Sequence, residues 1–229
     1  MKYGTIRRGI FIERPNRFIA KVLINGIIET VHVKNTGRCR EILIPGTTVI
    51  LEKASKEGRK TQYSLIAAYK AGTLINIDSQ APNEVVYEAL KHGLLPQFEK
   101  LTRIAKEVRF GNSRFDLYYE TGSERGFIEV KGVTLEREGK ALFPDAPTER
   151  GVKHLVELAE AVKSGFKGHI FFLIQMKGPQ CFQPNTVMDP EFTQALRLAR
   201  ENGVKILAYD SIVGQDELVL DSPVKVEGL

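Results

Sequence analysis

RFDLYYETGSERGFIEVK, residues 114–131, contains two strand-like runs that are joined by a turn-like segment at 120–125. In a hairpin centred on that turn, Asp116 lies directly opposite Glu129, with the two Cβ atoms roughly 5 Å apart. Lys131 is two residues beyond Glu129 and therefore points to the same side of the strand. The stretch predicts two carboxylates and one ammonium on one face of a sheet.

Such a group of side chains is typical of a metal site. Like charges that face each other across a strand pair are destabilising unless something compensates them, and a divalent cation does so. Metal-dependent phosphodiester hydrolysis requires oxygen ligands for Mg²⁺ or Mn²⁺ and a cationic side chain near the attacking water or the phosphate. The alternative is a solvated surface pair. Phe127, Ile128 and Val130 make both faces partly apolar, so an acid buried there without a role would be costly.

The bulk composition is that of an ordinary soluble globular protein. The chain has 229 residues, 42% hydrophobic and 27% charged, enough for one large domain or two small ones. No run of about 18 apolar residues is present, so we expect no membrane span. The start lacks the apolar core of a signal peptide, and Cys39 and Cys181 form no disulfide framework, so we expect a cytoplasmic protein.

The net charge of +5 is distributed unevenly along the chain. Residues 1–80 carry fourteen Lys/Arg and six Asp/Glu, a balance of +8, whereas the remainder carries nineteen against twenty-two, a balance of −3. A basic module attached to a mildly acidic body is expected of a protein that binds a polyanion such as DNA. The alternative is a small β-domain with Lys and Arg on its exposed edges.

Up to about residue 77 the sequence has a β pattern. Short runs rich in Val, Ile and Thr alternate with turns, and Asn25-Gly26 between two such runs is a strong hairpin signal. Five or six short strands without a long helix predict a small barrel of the OB type.

The pattern changes at Ala81 to helices that alternate with strands. We expect helices near 82–93, at 148–164 and at 190–201, and a strand buried on both faces at 170–174. This alternation predicts a mixed α/β fold whose second domain contains an α/β sheet. The predicted domains are 1–80 and 81–229.

Two basic segments are candidates for DNA contacts. The loop at 33–41 carries Lys34, Asn35, Arg38 and Arg40, which could clasp phosphates together with backbone N–H groups. The alternative is a plain hairpin connection.

The second segment leads into the helix at 148–164. Arg150, Lys153 and His154 cluster at its start, which indicates phosphate contacts. The alternative is helix capping by Asp145 or Thr148 followed by an ordinary solvated face.

Several ordered motifs give the chain a resemblance to the sugar fermentation stimulation protein A family over nearly its whole length. The motifs are HVKNTGR at 32–38, PN at 82–83, GVTL at 132–135, FPDAPTERGVKHL at 143–155, Gln175, FQPN at 182–185 and DP at 189–190. The resemblance implies an N-terminal OB-like β-barrel and a C-terminal α/β domain similar to PD-(D/E)-x-K nucleases. It also implies DNA binding and an association with the regulation of sugar (maltose) metabolism.

The nuclease-like motif is carried over residue by residue. Asp116, Glu129 and Lys131 match its catalytic positions, and Phe115 stands where the general motif has Pro. Such nucleases often place a further acid on the first helix, for which Glu84 is the nearest match and Glu88 the second. The alternative for both is an ordinary solvated glutamate on the helix surface. Two functions stay open: a DNA-binding regulator without catalysis and a Mg²⁺- or Mn²⁺-dependent endonuclease. The oligomeric state also stays open, with a homodimer among the alternatives.

Overall fold

The structure is a computed structural model that describes residues 1–35, 37–55 and 58–229. Its helices are α1 (Ala81–Lys91), α2 (Glu149–Lys163) and α3 (Pro190–Glu201). Its strands are β1 (Ile6–Asn16), β2 (Ile19–Ile24), β3 (Ile27–Val33), β4 (Thr48–Lys53), β5 (Tyr63–Lys70), β6 (Thr73–Asn76), β7 (Arg103–Phe110), β8 (Ser113–Glu120), β9 (Arg125–Val133), β10 (Leu135–Arg137), β11 (Lys140–Phe143), β12 (Lys167–Ile174), β13 (Cys181–Pro184), β14 (Lys205–Val213), β15 (Leu218–Pro223) and β16 (Lys225–Val226).

The N-terminal strands form a closed barrel. Antiparallel pairing runs in the order β3-β2-β1-β4-β5, and a short parallel pairing of β3 with β5 closes the circle, while β6 extends the edge of β5. Alternate residues of β2, namely Ala20, Val22 and Ile24, point into the barrel and are buried. The alternation of buried and exposed residues is what a closed sheet with one dry face requires, and it confirms the predicted OB-like barrel.

The β2–β3 hairpin has the turn that its sequence predicts. Asn25 and Gly26 both have positive φ values, 49° and 83°, as a type I′ turn needs at its two central positions. Because this turn fixes the register, Leu23 pairs with Ile28 and the hairpin continues in step to its far end.

The C-terminal half contains a six-stranded sheet in the order β15-β14-β12-β9-β8-β7. The three central strands β9, β12 and β14 are parallel, and antiparallel strands flank them on both sides. Helix α1 packs on one face of this sheet, and α2 and α3 pack on the other. The mixed α/β fold and the doubly buried strand over 170–174 are therefore confirmed.

The helix ends follow ordinary capping rules. Thr148 precedes α2 and its Oγ1 accepts a hydrogen bond from the N–H of Gly151, which satisfies one of the free donors of the first turn. Asp189 caps α3 in the same way, and Pro190 occupies the first helical position, where no N–H is needed. Of the two predicted caps of α2, Thr148 is the one that caps the helix.

The barrel and the second sheet meet through buried polar side chains. Gln175 just after β12 donates from Nε2 to Asn76 Oδ1 (2.8 Å) and to the carbonyl of Asp78 (3.0 Å). Hydrogen-bonded groups buried at a joint fix its geometry because each would be costly if left unpaired. The barrel therefore has a defined orientation on the sheet that carries the acids.

No helix in the described part of the chain is long and apolar enough to cross a membrane.

Candidate metal and nucleic-acid site

The β8–β9 hairpin has the register that the sequence predicts. Tyr119 pairs with Gly126 and Leu117 pairs with Ile128, so the next position along β8, Asp116, is level with Glu129. The backbone pairing of β8 with β9 ends before this position. The N–H of Val130 donates instead to the side chain of Asp116, at 2.8 Å from Oδ2.

Asp116 also interrupts the ladder on its other side. The β7–β8 pairs run from Lys106–Leu117 to Val108–Phe115 and skip Asp116, and its level neighbour Glu107 has a positive φ of 59°. A non-glycine residue with positive φ is uncommon and often marks a functional position. The irregular backbone brings Asp116 within reach of both β9 and α1.

Helix α1 supplies a neutral partner for Asp116. Asn83 donates from Nδ2 to Asp116 Oδ1 at 2.7 Å. The close approach of α1 to β9 depends on Gly132 in β9. A Cβ at that position would overlap Gln175 and would lie 2.8 Å from Pro82 Cγ in α1. Asn83 is not among the site residues predicted from the sequence, although the Pro82-Asn83 pair is one of the motifs that carry the resemblance.

The pKa of Asp116 is raised from 3.8 to about 6. Burial is the main cause, and the negative charge of Glu129 adds to it, while the hydrogen bond from Val130, the charge of Lys131 and the hydrogen bond from Asn83 oppose the rise. The two acids therefore repel each other across the pair of strands, as the sequence predicts for opposed like charges.

Glu129 is buried, with 2% of its surface exposed. Its Oε1 accepts hydrogen bonds from Lys131 Nζ at 2.5 Å and from His154 Nδ1. Burial alone would raise the pKa of Glu129, but the hydrogen bond from His154 and the charge of Lys131 outweigh it, so the pKa lies below its ordinary value. Glu129 is therefore held as a carboxylate at neutral pH.

The second oxygen of Glu129, Oε2, has no hydrogen-bond partner among the described residues although it is buried. A buried carboxylate oxygen without a partner is costly, and such atoms in native proteins usually serve an ion, a water molecule or a ligand. Oε2 is therefore the oxygen of Glu129 that a bound ion would pair.

His154, a residue of α2, contacts Glu129. Its ring is buried, its Nδ1 donates to Glu129, and its Nε2 accepts from Arg150 Nε at 3.4 Å. Each acid is thus held by one helix: Asp116 by α1 and Glu129 by α2. The sequence predicts that His154 contacts phosphate, whereas in the structure both of its ring nitrogens are occupied by protein groups.

The helix acids lie apart from the acid pair. Glu84 forms an ion pair with Lys106 at 2.5 Å, and Glu88 forms one with the N-terminal ammonium at 2.6 Å. Both are partly exposed surface pairs, and Asn83 rather than Glu84 is the residue of α1 that hydrogen-bonds to Asp116.

The donor set fits a hard divalent cation. Among residues 1–35, 37–55 and 58–229, no three His, Cys, Asp or Glu side chains form a group spaced for a metal ion, so the site offers two carboxylates rather than a complete protein cage. Mg²⁺ is commonly held by one or two carboxylates, with water and substrate phosphate supplying the other ligands. Asp116 and Glu129, with the unpartnered Oε2, fit this mode.

The basic loop after β3 is anchored to the protein in its first part. Lys34 donates to Asp78 Oδ2 at 3.1 Å and to Glu52 Oε2 at 3.4 Å. Asn35 donates from Nδ2 to the carbonyl of Ile77 and accepts from the N–H of Gly37. These two side chains hold the loop in place, and Thr36 lies outside the described residues.

The other cations of the expected DNA surface are exposed. Arg38 and Arg40 extend from the loop, and Arg150 and Lys153 extend from the first two turns of α2. The two segments touch, since the N–H of Arg38 donates to Asp145 Oδ2 at 3.2 Å.

Comparisons with known proteins agree on one family. The family model described as "Sugar fermentation stimulation protein RE domain" matches residues 80–217, and that described as "SfsA N-terminal OB domain" matches residues 12–77. A sugar fermentation stimulation protein homolog of Alkaliphilus oremlandii is 55% identical over 232 residues, covering 99% of both chains. A homolog of Desulfitobacterium hafniense is 56% identical over 218 residues, covering 95% of this chain and 94% of the relative.

A solved structure is similar over the whole chain. The SfsA protein of Pyrococcus furiosus, determined in complex with Ca²⁺, superimposes with a TM-score of 0.91 at 31% identity and covers 99% of this chain and 98% of its own. The chain belongs to the sugar fermentation stimulation protein family.

Proposed function

We propose that this member of the sugar fermentation stimulation protein family binds DNA with little sequence preference, and that Asp116 and Glu129 hold Mg²⁺ or Mn²⁺ beside the bound backbone. One observation carries the proposal. Exposed cations lie beside the acid pair: the N–H of Arg38 donates to Asp145 in the segment that leads into α2, and Arg150 of α2 donates to His154, which in turn contacts Glu129. The Pyrococcus furiosus protein was solved in complex with Ca²⁺, which is consistent with a cation at these acids.

The DNA surface consists of the four exposed cations Arg38, Arg40, Arg150 and Lys153. Contacts of Arg and Lys with phosphates release counterions and carry no sequence information, so they give salt-dependent and non-specific binding. The family name links the chain to stimulation of sugar fermentation, and we propose that DNA binding serves the regulation of sugar (maltose) metabolism.

A salt titration tests the DNA surface. Binding to two labelled duplexes of unrelated sequence should be equally tight, and removal of Arg38 and Arg40 by Ala should lower the slope of log affinity against log salt by about 0.9 for each lost phosphate contact. Lys163→Ala combined with Lys205→Ala removes two exposed cations from elsewhere and should leave the slope unchanged. An equal slope change in both double variants would refute this surface.

A second candidate function, metal-dependent phosphodiester hydrolysis, is favoured by the position of Lys131. Its side chain is 15% exposed and its ammonium lies 2.5 Å from Glu129. A phosphate bound at the acid pair would lie beside this ammonium, which would stabilise the negative charge that develops there. A bound divalent cation would supply Lewis-acid polarisation and lower the pKa of water. Asn83 and His154 would keep the two carboxylates oriented.

Lys131 separates the two candidates. A nuclease needs this charge in the transition state, and loss of such a group commonly reduces the rate about a hundredfold or more. A binding protein loses at most one phosphate contact among several. Lys131→Ala should therefore leave DNA affinity nearly unchanged and abolish any cleavage of single- or double-stranded DNA in Mg²⁺ or Mn²⁺. If the wild-type protein cleaves neither form with either metal and EDTA changes nothing, hydrolysis is refuted and binding is left.

A further inference from the structure

Phe18 is an exposed aromatic residue in the turn between β1 and β2. Its relative exposure is 46%, and in the described part of the chain it is the only aromatic residue among the exposed large hydrophobic ones. Aliphatic residues on a surface are common, whereas an exposed aromatic ring beside cations is typical of a binding site.

The protein holds the backbone of Phe18 firmly. Asn16 Oδ1 accepts from the N–H groups of Phe18 and Ile19 at 2.9 and 3.1 Å, and the carbonyl of Phe18 accepts from the N–H of Val33 at 2.8 Å. The exposed ring therefore stands on a fixed turn. Fixing it in advance lowers the entropy lost when a ligand stacks on it.

One cation lies against the ring, and a second connects its turn to the basic loop. The guanidinium of Arg17 lies 4.9 Å from the centroid of the Phe18 ring, which is cation–π distance. Arg14 then joins this turn to the basic loop: its Nη2 donates to the carbonyls of Arg17 (2.7 Å) and Asn35 (2.6 Å), and its Nη1 donates to those of Gly37 (2.8 Å) and Arg38 (2.9 Å).

A single guanidinium thus brings the Phe18 turn and the basic loop together at one end of the barrel. Through Arg38 and Asp145 the surface continues to the start of α2 and so toward the acid pair. A nucleic-acid strand that follows the exposed cations Arg17, Arg38 and Arg150 would pass over the Phe18 ring.

We propose that Phe18 is a stacking platform for an unpaired base, so that the preferred ligand is DNA with a single-stranded segment. This inference rests on the proposed DNA binding. A cationic surface alone would serve duplex and single strand alike, because both present phosphates. An aromatic ring adds affinity for single strands only, because the faces of paired bases are covered by their neighbours in the duplex.

A tryptophan at this position gives a direct test. The chain contains no Trp, so the emission of Phe18→Trp reports from this turn alone. Saturable quenching by an oligothymidine, and none by a duplex of the same length at concentrations that saturate binding, is the expected result. Ile28→Trp is the matched control, since Ile28 is 60% exposed and lies near the opposite end of the β2–β3 hairpin. Its emission should not change.

Affinity gives a second and independent test. Phe18→Leu keeps an apolar side chain but removes the ring, and it should weaken binding of the oligothymidine about 5- to 150-fold, the range for loss of one stacked base. Duplex affinity should be unchanged, and Phe18→Tyr should bind like the wild type. Thermal melting confirms that the variants are folded.

The outcomes separate this inference from the function on which it rests. Unchanged single-strand affinity in Phe18→Leu, or unquenched emission in Phe18→Trp, together with salt-dependent duplex binding by the wild type, overturns the stacking platform and leaves DNA binding intact. Failure of the wild type to bind either form of DNA overturns the proposed function and the platform with it.

Discussion

Replacing Asp116 with Asn should stabilise the metal-free protein above neutral pH. The pKa of Asp116 is 3.8 in the unfolded chain and about 6 in the folded protein, because the carboxyl is buried and faces the negative charge of Glu129. The folded state therefore binds protons more tightly, and the free energy of unfolding falls as pH rises through this window. Above the window the full cost is about 3 kcal/mol, from 1.36 kcal/mol per pKa unit.

Asn at position 116 removes the charge and keeps the shape. Its amide oxygen can accept from the N–H of Val130, and its amide nitrogen can donate to Asn83 once that side chain turns over. For a chain of this size about 3 kcal/mol corresponds to a rise in Tm of about 6 to 12 °C. We expect this rise at pH 8 in EDTA, and no difference between variant and wild type below about pH 4, where the wild-type carboxyl is protonated.

The assay is thermal melting across pH, with and without Mg²⁺. Asp216→Asn, at an exposed carboxylate, is the matched control and should be neutral. Added Mg²⁺ or Mn²⁺ should raise the Tm of the wild type through linkage and should not raise that of Asp116→Asn. A variant that melts below the wild type at pH 8, with the control unchanged, would refute the argument that the ionised carboxyl of Asp116, buried and facing Glu129, destabilises the folded protein.

Three further predictions concern single side chains. His154→Ala should weaken Mn²⁺ binding about 10- to 100-fold, as loss of a group that orients a metal ligand commonly does, and Mn²⁺-dependent melting checks this. Asn83→Ala should also weaken Mn²⁺ binding, whereas Glu84→Ala should leave it unchanged because Glu84 pairs with Lys106; equal effects would contradict the geometry. Burial lowers the pKa of His169 from 6.5 to about 4, so the folded state binds fewer protons and stability is lost as pH falls from 6.5 toward 4, by about 3 kcal/mol in all. His169→Phe should flatten that part of the pH–Tm profile. A variant profile as steep as that of the wild type would show that His169 does not cause the loss of stability.

The hairpin register could be read from the sequence because it depends on local chemistry. The turn at 120–125 and the alternation of the flanking strands determine which residues face each other, so the pairing of Tyr119 with Gly126 follows. The barrel hairpin is predictable for the same reason, since Asn25-Gly26 determines its turn type. Helix α2 follows from its apolar periodicity and from the cap Thr148.

Contacts between distant segments could not be read in this way. Residue spacing does not reveal that His154 reaches across to Glu129, or that Asp78 and Glu52 enclose the ammonium of Lys34, because these contacts arise from the packing of separate elements. The same holds for Asn83, since only the fold shows which side chain of α1 faces Asp116. The acid pair could be predicted from residue types and their spacing, whereas the side chains that contact the two acids depend on how separate elements pack.

Mn²⁺ titration followed by electron paramagnetic resonance tests the central claim most directly. Free Mn²⁺ gives a sharp signal that is lost on binding, so the measurement reports the ion itself and needs no catalytic activity. We predict saturable loss of signal with the wild type, recovery when Mg²⁺ competes, and no loss with Asp116→Asn combined with Glu129→Gln. Glu84→Gln should bind like the wild type. Equal Mn²⁺ binding by the Asp116/Glu129 double variant and the wild type would contradict the assignment of these two acids as the metal ligands.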